Sequence, residues 1–213
     1  MKRRLFSTAM LSATALLGTA SAWAQQAFRS GKDYITLERP VATEAGSGKI
    51  EVLEFFWYSC PHCNLFEPAF EQWAKNAAKD VVVRRVPVAF RDDFVPQQRL
   101  YFTLEAMNLV EKMHMRVFTA IHGEKQMLNT DASVLAWAEK QGIDKAKFEQ
   151  AYKSFGVATK AKRAVQLQND FKIEGVPSLG VAGRYYIDGT LAGSMPRALQ
   201  VADALIAQTR QGR

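Results

Sequence analysis

Cysteine is almost missing from this chain, with Cys60 and Cys63 the only two in 213 residues. One internal disulfide is the most they can form. Histidine is as scarce, at His62, His114 and His122, so a tetrahedral zinc site would lack its usual second ligand pair. Long hydrophobic runs are missing too. The one apolar stretch, Leu5 through Leu17, is interrupted by Ser7, Thr8, Ser12 and Thr14, and it is shorter than the roughly twenty residues a membrane span requires. An excess of one charge is also lacking, since 28 basic against 21 acidic residues leave only +7. The densest basic group, Lys160, Lys162 and Arg163, suits the solvated face of a helix, and no basic stripe argues for nucleic acid.

At the N-terminus, the basic head Lys2-Arg3-Arg4, the short apolar stretch and Ala22-Trp23-Ala24 form the three parts of a secretory signal peptide. Cleavage is expected after Ala24, which leaves 189 residues from Gln25 to Arg213 with 25 basic and 21 acidic side chains, a formal +4. That length suits one domain with a real core, or one domain carrying an insertion. Export takes the chain to a compartment where disulfides form and persist.

Hydrophobic period gives a β-rich beginning, a helical middle and a hairpin near the end. Tyr34 to Leu37 reads as a short strand, and Lys49 to Trp57 as a central strand whose apolar content suits cover on both faces. A helix is expected from about Pro61, with Phe66, Phe70, Trp73 and Ala77 as its apolar stripe, and a third strand over Val81 to Val88. From Asp92 to about Asp170 apolar residues recur at helical spacing, Asp131 and Asp144 suit N-caps, and neither repeats nor low-complexity tracts appear. An inserted helical segment is the simplest account. Ser178 to Val181 and Tyr185 to Asp188 flank Ala182-Gly183-Arg184 as a hairpin, and Ser194 is expected to cap a final helix burying Leu199, Ala202, Leu205 and Ile206.

The richest local signal is Cys60-Pro61-His62-Cys63 directly after the strand-like run Val52 to Tyr58. Two thiols three positions apart can close a ring by themselves, and unpaired amides at a helix start favour a Cys60 thiolate. Redox exchange, zinc binding and a purely structural disulfide are the chemistries open to such a pair. A structural bridge would restrain only a very short loop. His62 can offer a charge or an N–H to Cys60. Glu54 is an acid inside an apolar strand, expected to be buried with a raised pKa and paired with a cation such as Arg84 or Arg85. Phe56 and Phe66 read as core, whereas Trp57 and Tyr58 are placed near the redox mouth. Met107, Met113 and Met115 read as core packing or adaptable contacts. His114 and His122 read as bystanders, with no cysteine or carboxylate pattern to recruit them.

Taken with a helical middle, an export signal and Val176-Pro177 before a hairpin, this tetrad resembles the DsbA family of bacterial thiol-disulfide oxidoreductases, over the whole mature chain. The resemblance implies an α/β thioredoxin fold, a central sheet flanked by helices, formed by residues 25–91 and 171–213 and interrupted by an α-helical domain at 92–170. It implies Cys60 as nucleophile, Cys63 as resolving thiol, Pro61 as part of the motif, Pro177 as a cis-proline, Val176 as a backbone partner for substrate, and Glu54 in proton transfer. It further implies a periplasmic protein that oxidises reduced, unfolded exported proteins, and a monomer is the default expectation because neither a coiled coil nor a second domain appears. Reoxidation would fall to a DsbB-like, quinone-linked inner-membrane oxidase, with no metal or organic cofactor.

Overall fold

The computed structural model describes residues 28–212; the expected signal peptide and its cleavage site lie outside them. The sheet is built around β2 (Ile50–Phe56), in which every residue is buried. Its period-two alternation sends Ile50 and Val52 to one face and Leu53 and Phe55 to the other. β2 runs parallel to β3 (Val81–Pro87), with Glu54 opposite Arg85. On its other side β2 pairs antiparallel with β4 (Ser178–Val181), which continues through the hairpin into β5 (Tyr185–Asp188). A two-residue β1 (Ile35–Thr36) closes the order β1-β5-β4-β2-β3. The first strand is shorter than its sequence suggests because Gly31, at φ +80°, turns the backbone so that its N–H reaches Tyr34 O. Tyr34 instead buries its ring edge-on against Tyr185.

α1 (Pro61–Lys75) crosses from β2 to β3, which makes the predicted βαβ unit. It shares one face of the sheet with α8 (Met195–Gln211), in a core of Ile50, Val52, Phe66, Phe70, Leu199, Ala202 and Leu205 among others. Ser194 caps α8 as expected, and the four-residue α7 (Gly189–Ala192) precedes it. Both hairpin-turn residues adopt positive φ, Ala182 at +53° and Gly183 at +64°.

Between β3 and β4 the chain forms α2 (Val95–Ala106), α3 (Val110–Phe118), α4 (Asp131–Lys140), α5 (Lys145–Tyr152) and α6 (Phe155–Asp170). A short 3-10 turn leads into α2, and a π-helical turn, Thr119–Gly123, extends α3. Asp144 caps α5 as expected. Asp131 does not cap α4: Thr130 does, in a reciprocal capping box with Ser133, while the Asp131 carboxylate accepts from Tyr152 Oη at 2.6 Å. Thr130 has the extended backbone an N-cap needs, and Asp131 is already the first helical residue. These helices cover the second face of the sheet in one continuous core that runs from Leu53 and Phe55 through Phe118 to Trp137 and Tyr152. No helix of the described residues is long and apolar enough to cross a membrane.

Candidate active site

β2 stops at Phe56 because the next residues turn, with Cys60 N–H donating to Trp57 O. Cys60 is the N-cap of α1 in an extended conformation, and Pro61 takes the first helical position, where a missing N–H costs nothing. Both cysteines are free thiols. Cys60 retains 8% exposure, while Cys63, one turn inside the helix, has none.

That difference in depth sets their chemistry. Contact with the Cys63 thiol lowers the Cys60 pKa most, the Cys63 and His62 amides add to it, and the net value falls from 9.0 to about 6 against burial. The Cys63 amide reaches Cys60 Sγ at 3.4 Å. The charge of His62 contributes last, and the ring itself is exposed. Both contributions expected of His62, an N–H and a charge, act on Cys60, behind that of the Cys63 thiol. Cys63 moves the other way: burial drives its pKa far up, and the charges of Cys60 and Glu54 add to this.

Across from the cysteines, 116 residues along the chain, Val176 O lies 3.4 Å from Cys60 Sγ. The Val176-Pro177 peptide is cis. His62, Val176, Pro177, Thr190 and Met195 help line a cleft of about 350 Å³ beside the thiols.

Beneath Cys63 lies a group of charges of which the sequence announced only Glu54 and a candidate arginine. Glu54 is fully buried, and its cross-strand neighbour Arg85 places Nε 3.2 Å from Glu54 Oε2. Register decides between the two candidate cations: Arg85 shares the α1 face with Glu54, whereas Arg84 on the opposite face pairs with Glu51 and Glu44. Arg85 also donates to Glu67 and, at 2.6 Å, to Glu71, both on α1. Burial first, then the charge of Glu67, raises the Glu54 pKa well above the carboxylate range despite Arg85.

Three expectations fail here. Tyr58 is not a surface residue of the redox mouth but fully buried, its hydroxyl 2.8 Å from His114 Nδ1. His114 is not a bystander: it is buried, with Nε2 3.3 Å from Glu67, and burial lowers its pKa. His122 hydrogen-bonds Tyr58 O through Nε2 at 2.8 Å. Trp57 is half-buried and stacks on Phe94 with ring centroids 3.8 Å apart. Met113 is core and Met107 packs against it, while Met115 is exposed. Gln97, which sequence reasoning missed altogether, is buried against Ser59. Each missed contact spans 38 to 64 residues, and no local pattern announces it.

One thiol ready to ionise beside another held protonated is an arrangement for dithiol-disulfide exchange. On this sheet, with helices inserted before the hairpin, it defines a thioredoxin-fold oxidoreductase.

Residues 51–200 match the model of the DSBA-like thioredoxin domain. The thiol:disulfide interchange protein DsbA of Burkholderia cepacia is 40% identical over 208 residues, covering 98% of each chain. The protein of the same name from Bordetella parapertussis is 44% identical over 209 residues, covering 98% of this chain and 97% of its own. The crystal structure of Pseudomonas aeruginosa DsbA superposes with a TM-score of 0.83 at 36% identity, over 87% of this chain and 96% of that one. This chain belongs to the DsbA family and is a thiol:disulfide oxidoreductase.

Proposed function

We propose that the protein is a periplasmic oxidant that donates its Cys60-Cys63 disulfide to reduced, newly exported proteins. A substrate thiolate attacks Cys60 Sγ and breaks the Cys60-Cys63 bond, and Cys63 leaves and takes up a proton. Glu54, buried close enough for its charge to act on Cys63, supplies that proton and takes it back on reoxidation. A second substrate thiolate then attacks the substrate's own sulfur in the mixed disulfide and displaces the Cys60 thiolate. The substrate leaves with a disulfide and the enzyme as a dithiol, two electrons richer. A DsbB-like, quinone-linked oxidase of the inner membrane removes those electrons. The cycle uses no metal or organic cofactor and runs in a monomer, cleaved after Ala24, with a catalytic thioredoxin-like unit at 25–91 and 171–213 and a helical unit at 92–170. Val176 and Pro177 form the wall against which an extended substrate pairs.

The observation that carries this direction is the placement of Cys60 Sγ at the opening of α1, 3.4 Å from the Cys63 amide, which with the Cys63 thiol holds its pKa below the usual thiol value. A leaving thiol of low pKa departs fast, and a stabilised thiolate favours the dithiol enzyme, so the disulfide is readily given away. The test is the equilibrium potential of the exported protein against glutathione, read by mass-tagging free thiols. A potential above roughly −180 mV is expected. A potential near the roughly −270 mV of thioredoxin would make the protein a reductase instead.

A further inference from the structure

Two consecutive residues ahead of Cys60 are held from outside the sheet. Gln97, on the first turn of α2 and 1% exposed, accepts from Ser59 N–H through Oε1 at 3.1 Å and donates from Nε2 to Ser59 Oγ at 2.6 Å. One carboxamide thus satisfies both the backbone and the side chain of the residue next to the nucleophile. On the π-helical turn after α3, His122 Nε2 lies 2.8 Å from Tyr58 O. A carbonyl only accepts, so Nε2 carries the hydrogen. The His122 ring is stacked on Phe118, which fixes its plane.

The elements that carry these two side chains are themselves pinned. Gln98 Nε2 donates to Pro87 O at 2.8 Å, which ties the start of α2 to the end of β3. Phe94, just before α2, stacks on Trp57, and Tyr58 Oη meets His114 of α3. Gln97 and His122 therefore reach the turn from a rigid base, the condition under which a supporting shell holds a reactive group in register. The turn they grip needs such support. Its own restraint is the Cys60 N–H to Trp57 O bond at 3.0 Å, and Cys60 Sγ accepts from the Cys63 amide at 3.4 Å, an ordinary length for sulfur, only where the turn holds it.

We propose that Gln97 and His122 are positioning residues of the redox centre, a two-point clamp by which the inserted helices hold the Tyr58-Ser59 backbone. Through that backbone they keep the Cys60 sulfur under the amides that open α1. The clamp rests on Cys60 being the cysteine that forms the mixed disulfide and leaves as thiolate. It also gives the inserted helices a part in setting oxidising strength.

The test uses the reduced exported protein, its thiolate absorbance followed against pH, together with its glutathione equilibrium. Gln97→Leu removes both contacts to Ser59 at similar volume, and His122→Phe keeps a ring against Phe118 but loses the donor. Each is expected to raise the Cys60 pKa by about one unit and to shift the glutathione equilibrium about tenfold toward the disulfide form at about pH 8. His122→Gln, which still offers an N–H to Tyr58 O, is expected to rescue both readings. If Gln97→Leu and His122→Phe lower the unfolding midpoint yet leave titration and equilibrium unchanged, the clamp is merely structural and the inference falls. Should Gln97→Leu fail to fold, the His122 pair decides. A wild-type potential near that of thioredoxin would sink the oxidant reading alone, since the shifts between variants would still report the clamp.

Discussion

At the scale of residues, the two thiols titrate so far apart that reduction changes its proton count within the working range. Below about pH 6 the dithiol binds two protons, and above it Cys60 has lost one. The potential is therefore expected to fall by about 59 mV per pH unit below that point and about 30 mV above it. Glutathione equilibria across the range measure this, and an unbroken slope would show that Cys60 is not acidified. Stability follows the same group. Its folded pKa, about 6, lies below the unprotected 9.0, so the added stability of the dithiol form is complete above the higher value and lost as pH falls through the lower. The gain is at most about 4 kcal/mol, and the disulfide form, lacking that titration, should show none of it. Urea unfolding of both forms across pH makes the comparison. Beneath the thiols, Arg85 faces Glu54, Glu67 and Glu71 together. Arg85→Met should cost about 3–5 kcal/mol, because it strands buried carboxylates, whereas Glu54→Gln should cost far less or nothing. Unfolding midpoints at neutral pH separate the two.

At the scale of elements, the β4–β5 hairpin depends on one turn. A Cβ at Gly183 would sit 2.0 Å from Val41 O, and its φ is already +64°. Backbone, unlike a side-chain tip, cannot step aside, and Val41 N–H donates to Gly183 O at 2.7 Å. Gly183→Ala is expected to destabilise by about 2–4 kcal/mol. Gly193→Ala, at φ +86° but with open space around the added carbon, should cost only about 1 kcal/mol. Thermal melts of the two variants test the contrast. The hairpin and central strands were legible from sequence because they alternate or run apolar between turn residues, and Ser194 and Asp144 because a capping side chain acts within three residues. The helical insertion was legible from its 3.6-residue period. Thr130 was missed because Asp131 beside it has the higher capping propensity, and backbone conformation overrides that ranking. Cys60 and Cys63 follow from a short-range pattern, whereas the sequence left Arg84 and Arg85 both open to Glu54 and only the strand register chose Arg85. Tyr58, Gln97, His114 and His122 meet across separate elements, where no periodicity runs.

At the scale of the whole molecule, the core on one face of the sheet does not stop at the inserted helices. Leu53 and Phe55 of β2 belong to the same cluster as Val134, Trp137 and Tyr152. Unfolding is therefore expected as a single transition, with far-ultraviolet ellipticity and tryptophan fluorescence coincident in urea. Two separated transitions would mean that the helical segment is an independent folding unit. The strand order carries a last consequence, one of timing. β4 and β5 come near the end of the chain, yet they fill the sheet between β1 and β2, which come near its start. The central strand therefore waits for a neighbour that emerges more than a hundred residues later, and Cys60 waits equally long for Val176. During synthesis, the thiol pair exists well before its cleft does. An oxidant assembled in this order stays unfinished until almost its last residues arrive.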